Sequence, residues 1–214
     1  MIPSFNVRIF QMKKVGVIDT GTGNLGSLTN ALGKVNAKFH LIKTKENLEK
    51  FDKVILPGVG SARGILDGIK KRGLFSSIKN FLEEARLGRK KFLGICLGLQ
   101  ILFKKTQEDD SECFSIFDIG VEKFPSTKKV PHMGWNSLIC NKENPLFQGI
   151  SEIELFYFVH SYFAPIFTAT THACDYDGIK FSAAISVGDI YAVQFHPEKS
   201  AESGLKVLRN FISL

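Results

Sequence analysis

The sequence predicts an α/β fold: a mostly parallel central sheet with helices on both faces, and an added antiparallel strand region in the C-terminal half. In the first half, apolar strand-like runs alternate with segments of helical spacing, which is the pattern of a parallel sheet. From about Ser115 onward, short strand-like runs follow one another with turn residues between them, which favours antiparallel pairing. The chain has 214 residues, 44% of them hydrophobic and 23% charged, as expected for one domain with a sizeable core.

The elements of the first half are read from apolar runs and helical periodicity. Residues 13–19, "KKVGVID", form an apolar run that ends at an acid and a glycine-rich turn, so they predict the first strand. Residues 24–35 predict a helix, because leucines recur at three- and four-residue intervals from Leu25 to Leu32. The remaining first-half predictions are strands at 37–42, 51–58 and 90–95 and helices at 76–85 and 97–106.

The second half predicts short strands, and a helix closes the chain. "YDG" at 176–178 and "VGD" at 187–189 separate three of the strand-like runs and are typical of hairpin turns. Residues 200–212 predict the closing helix, with inward residues Leu205, Leu208, Phe211 and Ile212. We expect a single domain over 13–214. Residues 1–12 are a candidate N-terminal extension: translation from Met12 and a genuine N-terminal arm both fit the sequence.

Composition narrows the class of protein. Four cysteines, Cys96, Cys113, Cys140 and Cys174, show no regular spacing, which argues against a zinc site or disulfide framework and indicates a cytoplasmic location. No apolar run is long enough to span a membrane, and the first ten residues do not read as a secretory signal. The net charge is +7, with basic clusters such as 86–91. Without a nucleic-acid motif, these clusters are interpreted as a solvated face, and we expect no nucleic-acid partner.

A glycine-rich loop suggests one alternative function. "GTGNLG" at 21–26 matches the dinucleotide fingerprint GxGxxG and lies between a predicted strand and a predicted helix. The next strand ends in Lys43 and Thr44 rather than at an acid, and no second mononucleotide-binding half follows. The loop is therefore interpreted as a tight turn with Asn24 near a helix start.

Cys96 is the candidate nucleophile. In "GICLGLQ" it ends a predicted strand and precedes a predicted helix, so it should lie at the carboxyl edge of the sheet, where open α/β folds bind ligands. N–H groups at the helix start would favour the thiolate. Gly94 and Gly98 remove side chains that would crowd a strained turn. Taken alone, a buried structural cysteine explains the stretch equally well.

"QFHPEKS" at 194–200 supplies a partner for this cysteine. A predicted strand ends at His196, and Glu198 follows two residues later, on the same side if the chain is extended. A histidine beside a thiol can move protons, and a carboxylate behind the imidazole orients it. Cys96, His196 and Glu198 are therefore the candidate catalytic triad.

These two motifs resemble the class I (triad) glutamine amidotransferases. With "PGVGSA" (57–62), "PHMGWN" (131–136), "YFVHSY" (157–162) and "GTGNL" (21–25), the resemblance narrows to the glutaminase subunits of imidazole glycerol phosphate synthase and covers about 13–214. One departure is Thr20, near the expected partner interface, where the family usually has an aromatic residue.

The resemblance implies the role of each site residue. Cys96 would attack the glutamine carboxamide, His196 would shuttle protons, and Glu198 would orient His196. Backbone N–H groups of Val59 and Leu97 would hold the oxyanion. The substrate-binding residues would be Gly58, Gly60, Gln100, Glu108, Ser161 and Tyr162. The partner interface and ammonia passage would include Asn24, Pro131, Met133, Trp135 and Asn136, although Trp135 also fits a core position. His132 and His160 also fit internally bonded histidines, and His40 and His172 are interpreted as structural.

The implied function is glutamine hydrolysis for a partner. The partner would be a cyclase subunit with a (β/α)₈ barrel, forming a heterodimer that channels ammonia in histidine biosynthesis, and no metal or organic cofactor is expected. Three alternatives remain open at this stage. They are a paralogous amidotransferase supplying ammonia for amidino-sugar synthesis on surface glycans, a stand-alone cysteine hydrolase or peptidase, and a catalytically silent regulatory subunit.

Overall fold

A central sheet with helices on both faces organises the molecule, as the alternating pattern predicted. The computed structural model describes residues 14–22, 25–109 and 111–214. The expectations for residues 1–12 and for Asn24 lie outside these described residues. The strands are β1 (Val15–Ile18), β2 (Phe39–Ile42), β3 (Lys53–Gly58), β4 (Lys91–Cys96), β5 (Phe103–Thr106), β6 (Phe117–Lys123), β7 (His132–Asn136), β8 (Ile139–Cys140), β9 (Phe156–His160), β10 (Tyr162–Phe163), β11 (Thr170–Tyr176), β12 (Ile179–Val187) and β13 (Ile190–Val193).

Helices connect the strands of the first half and close the chain. They are α1 (Leu25–Lys34), α2 (Lys45–Leu48), α3 (Ala62–Lys71), α4 (Phe75–Arg86), α5 (Leu97–Gln100) and α6 (Ala201–Ser213), with short 3₁₀ turns at Pro145–Phe147 and Pro197–Lys199. Within the described ranges, no helix is both long and apolar enough to cross a membrane.

The main sheet changes from parallel to antiparallel pairing where the sequence pattern changes from alternating strands and helices to consecutive short strands. Over the described residues its strand order is β2-β1-β3-β4-β13-β12-β11-β8. The pairs from β2 to β13 are parallel, and the pairs from β13 to β8 are antiparallel. Two smaller sheets lie beside it, one with the order β10-β6-β5 and one pairing β7 with β9. The predicted fold class is therefore confirmed.

Two apolar layers, one on each face, hold the helices to this sheet. Leu28 and Leu32 of α1 and Leu208 and Phe211 of α6 pack in one layer, and the helices α3 and α4 pack in the other. Each fully buried aliphatic or aromatic side chain contributes about 1.5–3 kcal/mol of transfer free energy, so this burial fixes the strand ends in place. Leu205 and Ile212, predicted to face inward, are only partly buried against the same layer.

The predicted helix at 97–106 is wrong beyond its first turn. The helix α5 ends at Gln100, and β5 begins at Phe103 and pairs with β6 in parallel. Its apolar residues fit helical spacing, but pairing with a strand more than ten residues away decides the structure, which a local pattern cannot show. The helix α3, capped by Ser61, and the strand β7 were not predicted.

The basic cluster at 86–91 is largely paired with acids. Arg89 contacts Glu84 at 2.6 Å, Lys90 contacts Asp52 at 2.8 Å, and Lys91 contacts Asp189 at 2.7 Å. Surface ion pairs of this kind add little stability, but they neutralise the cluster. Its interpretation as a solvated face fits these contacts.

Candidate active site

Cys96 occupies a strained backbone turn at the end of β4. Its φ is +55° and its ψ is −106°, a conformation that costs a non-glycine residue about 1–3 kcal/mol. A side chain at Gly94 would collide with the carbonyl of Gly98, and one at Gly98 would collide with the carbonyl of Leu56. The two glycines are therefore required by close backbone packing, as the sequence indicated. Since α5 has a single turn, only its first N–H groups, rather than a long helix dipole, can act on the sulfur.

His196 and Glu198 meet directly, but the backbone between them is not extended. His196 Nδ1 lies 2.7 Å from Glu198 Oε1. The prediction that both side chains share the face of an extended chain is wrong, because Pro197–Lys199 is a 3₁₀ turn. The His196 main chain is held at both sides: its N–H donates to the Tyr157 carbonyl, and its carbonyl accepts from the Ser200 hydroxyl. The turn thus brings the carboxylate behind a fixed imidazole.

The environment of His196 stabilises its protonated form. Burial alone lowers the pKa of His196, but the charge of Cys96 and the hydrogen bonds to Cys96 and Glu198 outweigh it and raise the pKa to about 10. An imidazolium therefore persists beside the sulfur at neutral pH. A protonated histidine beside a cysteine favours the thiolate by its charge and holds a proton for a leaving group.

A cavity of about 320 Å³ opens above these residues. Parallel register sets Gly58 opposite Cys96 on adjacent strands, so the "PGVG" loop packs against the turn after the cysteine. Gly60 has a φ of +96°, which glycine adopts without strain. The cavity is lined by Val59, Gly60, Cys96, Leu97, Gln100, Glu108, Pro131, Val159, His160, Ser161, Tyr162 and His196.

Most of the predicted oxyanion and substrate-binding residues therefore line one cavity. Gly58 lies beneath it, against Leu97 and Gly98. Glu108 Oε2 accepts a hydrogen bond from the Ala62 N–H at 2.7 Å, which ties its loop to the start of α3. Burial raises the pKa of Glu108 although that hydrogen bond opposes the shift. The Gln100 Oε1 atom is buried without a hydrogen-bond partner among the described residues, so it can accept from a bound molecule.

A buried chain of amides, which was not predicted from the sequence, reaches the candidate nucleophile. Gln100 Nε2 donates to the Tyr162 carbonyl at 2.7 Å and to Gln194 Oε1 at 3.0 Å. Gln194 Nε2 in turn donates to Cys96 Sγ at 3.6 Å. The signal was present, since Gln194 is a polar residue inside the otherwise apolar run "IYAVQF".

The predicted partner-facing residues divide between the two faces of β7. Met133 and Trp135 point outward, with 63% and 48% of their surface exposed, so Trp135 is not a core residue. Asn136 differs from the expectation, because its side chain turns inward and lies 2.8 Å from His132 Nε2. His132 Nδ1 contacts His160 Nε2 at 3.0 Å, so both histidines are internally bonded. Pro131 lines the cavity instead of lying beside Trp135.

The side chain of Thr20 is buried rather than exposed at the surface. Only 2% of it is exposed, and its carbonyl fills the space that a side chain at Gly68 would need. Arg72 donates to the same carbonyl at 3.1 Å. The departure at Thr20 therefore affects packing beneath the expected interface rather than a direct contact.

The remaining cysteines form no cluster with chemistry of its own. Cys113 and Cys174 are buried, and burial raises the pKa of each thiol to about 12, while Cys140 is exposed. In the part of the chain that the structure describes, no group of three histidine, cysteine or acidic residues could hold a metal ion.

Comparison with known proteins identifies the class of protein that this fold and site define. The family model of glutamine amidotransferase class-I matches residues 16–214. A solved glutamine amidotransferase structure superposes with a TM-score of 0.72 at 19% identity, covering 93% of this chain and 97% of that one. A chain in the structure of PurLQS from Thermotoga maritima superposes with a TM-score of 0.70 at 18% identity, covering 94% and 98%. The chain belongs to the class-I glutamine amidotransferase family.

Curated relatives within this family carry a more specific name. The imidazole glycerol phosphate synthase subunit HisH of Bacteroides thetaiotaomicron is 41% identical, over 94% of this chain and 100% of the relative. The HisH subunit of Methanothermobacter thermautotrophicus is 42% identical, over 94% and 98%. HisH 1 of Vibrio vulnificus is 39% identical, over 94% and 98%. The alternative of a surface-sugar amidotransferase is therefore not favoured.

Proposed function

We propose that this chain is the glutaminase subunit of an imidazole glycerol phosphate synthase and acts in histidine biosynthesis. The observation that carries the proposal is that Cys96 and His196 line one cavity, while Glu198 Oε1 lies 2.7 Å from His196 Nδ1 behind the imidazole. Near-full-length similarity to the HisH subunits supports the pathway. The irregularly spaced free cysteines favour activity in the cytoplasm.

The reaction begins with attack on the glutamine carboxamide. The Cys96 sulfur adds to the carboxamide carbon, and the electron pair of the C=O bond moves to oxygen. Backbone N–H groups of Val59 and Leu97 stabilise this oxyanion, since hydrogen-bond donors placed where charge develops lower the barrier most. The Gly58 loop packs directly on the turn after Cys96, which supports a shared oxyanion site.

His196 moves a proton in each half of the reaction, giving one in the first half and accepting one in the second. The imidazolium gives its proton to the amide nitrogen, ammonia leaves as the C–N bond breaks, and a thioester remains on Cys96. Water attacks this thioester while neutral His196 accepts its proton, and glutamate leaves as the C–S bond breaks. Glu198 keeps the imidazole in one orientation throughout.

The surrounding polar groups hold the substrate. Gln100, with its free Oε1, and Glu108 supply acceptors for the α-ammonium group of glutamine, and Gly60, Ser161 and Tyr162 shape the wall around it. Both acceptors approach the cavity from separate elements, α5 and the loop after β5, so they favour a ligand with one cationic end.

The ammonia passes to a cyclase subunit with a (β/α)₈ barrel. Free ammonia becomes ammonium in water at neutral pH and loses its nucleophilicity, so a dry passage keeps it reactive. The exposed pair Met133 and Trp135 on β7 is the docking surface that we assign to this heterodimer, since large exposed apolar residues commonly mark interaction sites.

The test is glutamate release from glutamine by the purified chain, alone and with the cyclase subunit of the same organism loaded with its ribonucleotide substrate. We expect weak release alone and strong stimulation by the loaded cyclase. The matched control is Cys96→Ser, which should abolish glutamine-dependent synthesis while ammonia-dependent synthesis by the complex persists. Glutamine turnover by Cys96→Ser would contradict the nucleophile, and absence of stimulation would contradict the pathway.

A further inference from the structure

Gln194 is a fully buried amide beside the nucleophile, and neither the triad nor the substrate pocket accounts for it. It follows β13, whose last residue pairs with Ile95, so the parallel register brings Gln194 next to Cys96. Its backbone N–H is already bonded to the Ala183 carbonyl at 2.8 Å. A buried side-chain amide is costly unless its hydrogen bonds are satisfied. The side chain meets that requirement through Gln100 on one side and the Cys96 sulfur on the other.

The orientation of this amide follows from a backbone carbonyl. Tyr162 O can only accept a hydrogen bond, so the Gln100 atom 2.7 Å from it must be the NH₂ nitrogen. That nitrogen also lies 3.0 Å from Gln194, so the Gln194 atom facing it must be the acceptor oxygen. The NH₂ group of Gln194 is therefore the end that faces Cys96 Sγ.

We propose that Gln194 is a catalytic residue that donates a hydrogen bond to the Cys96 thiolate, with Gln100 and the Tyr162 carbonyl orienting it. The 3.6 Å separation fits the larger radius of sulfur. A hydrogen bond to an ionised acceptor is roughly twice as strong as one between neutral groups, so this donor favours the thiolate over the thiol. The inference rests on the proposed function, since it assigns a further role in the same site.

The arrangement gives Cys96 two different stabilising partners. His196 supplies a proton that leaves with ammonia, whereas an amide N–H keeps its proton at every pH in the physiological range. Gln194 would therefore hold the thiolate both before attack and when the sulfur leaves the thioester, whichever protonation state His196 has at that moment.

The test is the pH dependence of Cys96 alkylation by iodoacetamide in the full chain, followed for each cysteine by peptide mass spectrometry. Exposed Cys140 reacts in the same sample and serves as an internal reference. Gln194→Met removes the donor at similar length, and Gln194→Glu keeps the shape and the contact with Gln100 but replaces the donor by a carboxylate. Gln148→Met makes the first change at an exposed glutamine outside the site.

We expect Gln194→Met to move the midpoint of the pH–rate curve upward by about one unit, and to lower Cys96 alkylation relative to Cys140 by up to about 10-fold at pH values below that midpoint. Gln194→Glu should move the midpoint further, because the carboxylate repels the thiolate. Glutaminase activity of both variants should recover partly at higher pH. A merely structural role would lower activity equally at every pH and leave the midpoint unchanged.

Two results would overturn the inference, and they differ from each other. If Cys96 in the unaltered chain reacts no faster than Cys140 and glutamine does not protect it, the proposed function fails and Gln194 has no nucleophile to assist. If Cys96 reacts rapidly and is protected by glutamine, but folded Gln194→Met and Gln194→Glu keep the unaltered midpoint, only the role of Gln194 fails. Circular dichroism and the Gln148→Met control identify a variant that has lost its fold.

Discussion

Two histidines line the same cavity and are comparably buried, yet their protonation behaviour is opposite. His196 has 2% and His160 6% of its surface exposed. The pKa of His196 is raised to about 10, whereas burial lowers the pKa of His160 to about 3 even though its hydrogen bond with the Tyr162 carbonyl acts in the other direction. Burial alone does not decide which histidine is charged.

The difference lies in what each imidazole contacts. His196 has the Cys96 sulfur on one side and the Glu198 carboxylate on the other, both of which favour the cation. His160 contacts a neutral carbonyl and His132, and electrostatic repulsion from the imidazoles of His132 and His196 opposes its protonation. The contacts of His196 therefore favour the protonated imidazolium, and the contacts of His160 favour the neutral ring.

The largest effect should come from removing the charged histidine. His196→Asn keeps a polar side chain but cannot move protons, so we expect glutaminase kcat/KM to fall by about 10³- to 10⁴-fold, at the upper end for general acid–base catalysis. Steady-state glutamate release with the loaded cyclase measures this loss. The matched change His160→Asn should cost less than about 10-fold, because no proton passes through that ring.

The same experiment can break the comparison. If His160→Asn lowers kcat/KM as much as His196→Asn while both variants remain folded and bind the cyclase, then the two histidines share the chemistry. Ammonia-dependent synthesis by the complex serves as the control for binding, and it should be unchanged in both variants.

A smaller effect should follow from removing the carboxylate that supports the charge. Glu198→Gln preserves the shape and an acceptor for His196 Nδ1 but removes the negative charge, so we expect a loss of about 10- to 100-fold in kcat/KM. Since the carboxylate is one of the groups that raise the pKa of His196, the activity of the variant should decline at a lower pH than that of the unaltered chain. The pH profile of glutamate release measures this shift. A profile of unchanged shape would show that Glu198 does not control the charge of His196.

The residues around the charged histidine, His196, could be predicted from the sequence. Cys96 and His196 each end an apolar run that predicts a strand, and parallel strands meet at their carboxyl ends, so the candidate triad follows from local patterns and sheet geometry. The neighbouring glycines could be explained beforehand for the same reason, because the sharp turn excludes side chains at Gly94 and Gly98.

The contacts of the neutral histidine, His160, could not be predicted from the sequence in the same detail. For His160 the sequence indicated only an internally bonded histidine, without its partner, and only the pairing of β7 with β9 sets it opposite His132. The orientation of Gln194 depends on a carbonyl 32 residues earlier in the chain, Tyr162 O, which no local pattern contains. The strand β5 likewise depends on pairing with β6. Long-range pairing thus decides the features that the sequence left open.

The smallest expected effect is on the stability of the folded chain, and it depends on the neutral histidine His160 alone. Below the ordinary histidine pKa of 6.5 the unfolded chain takes up a proton at residue 160, while the folded chain resists it until the pKa of about 3. The free energy of unfolding therefore falls as the pH falls through this window, by at most about 1.4 kcal/mol per pH unit for this group.

Urea denaturation of the unaltered chain and of His160→Asn between pH 7 and pH 4 should show a shallower decline in the variant. His40→Asn makes the same change at an exposed histidine outside the cavity and serves as the matched control. Equal slopes for all three proteins would mean that His160 accepts a proton in the folded state and that the two histidines of the cavity do not differ as their contacts indicate.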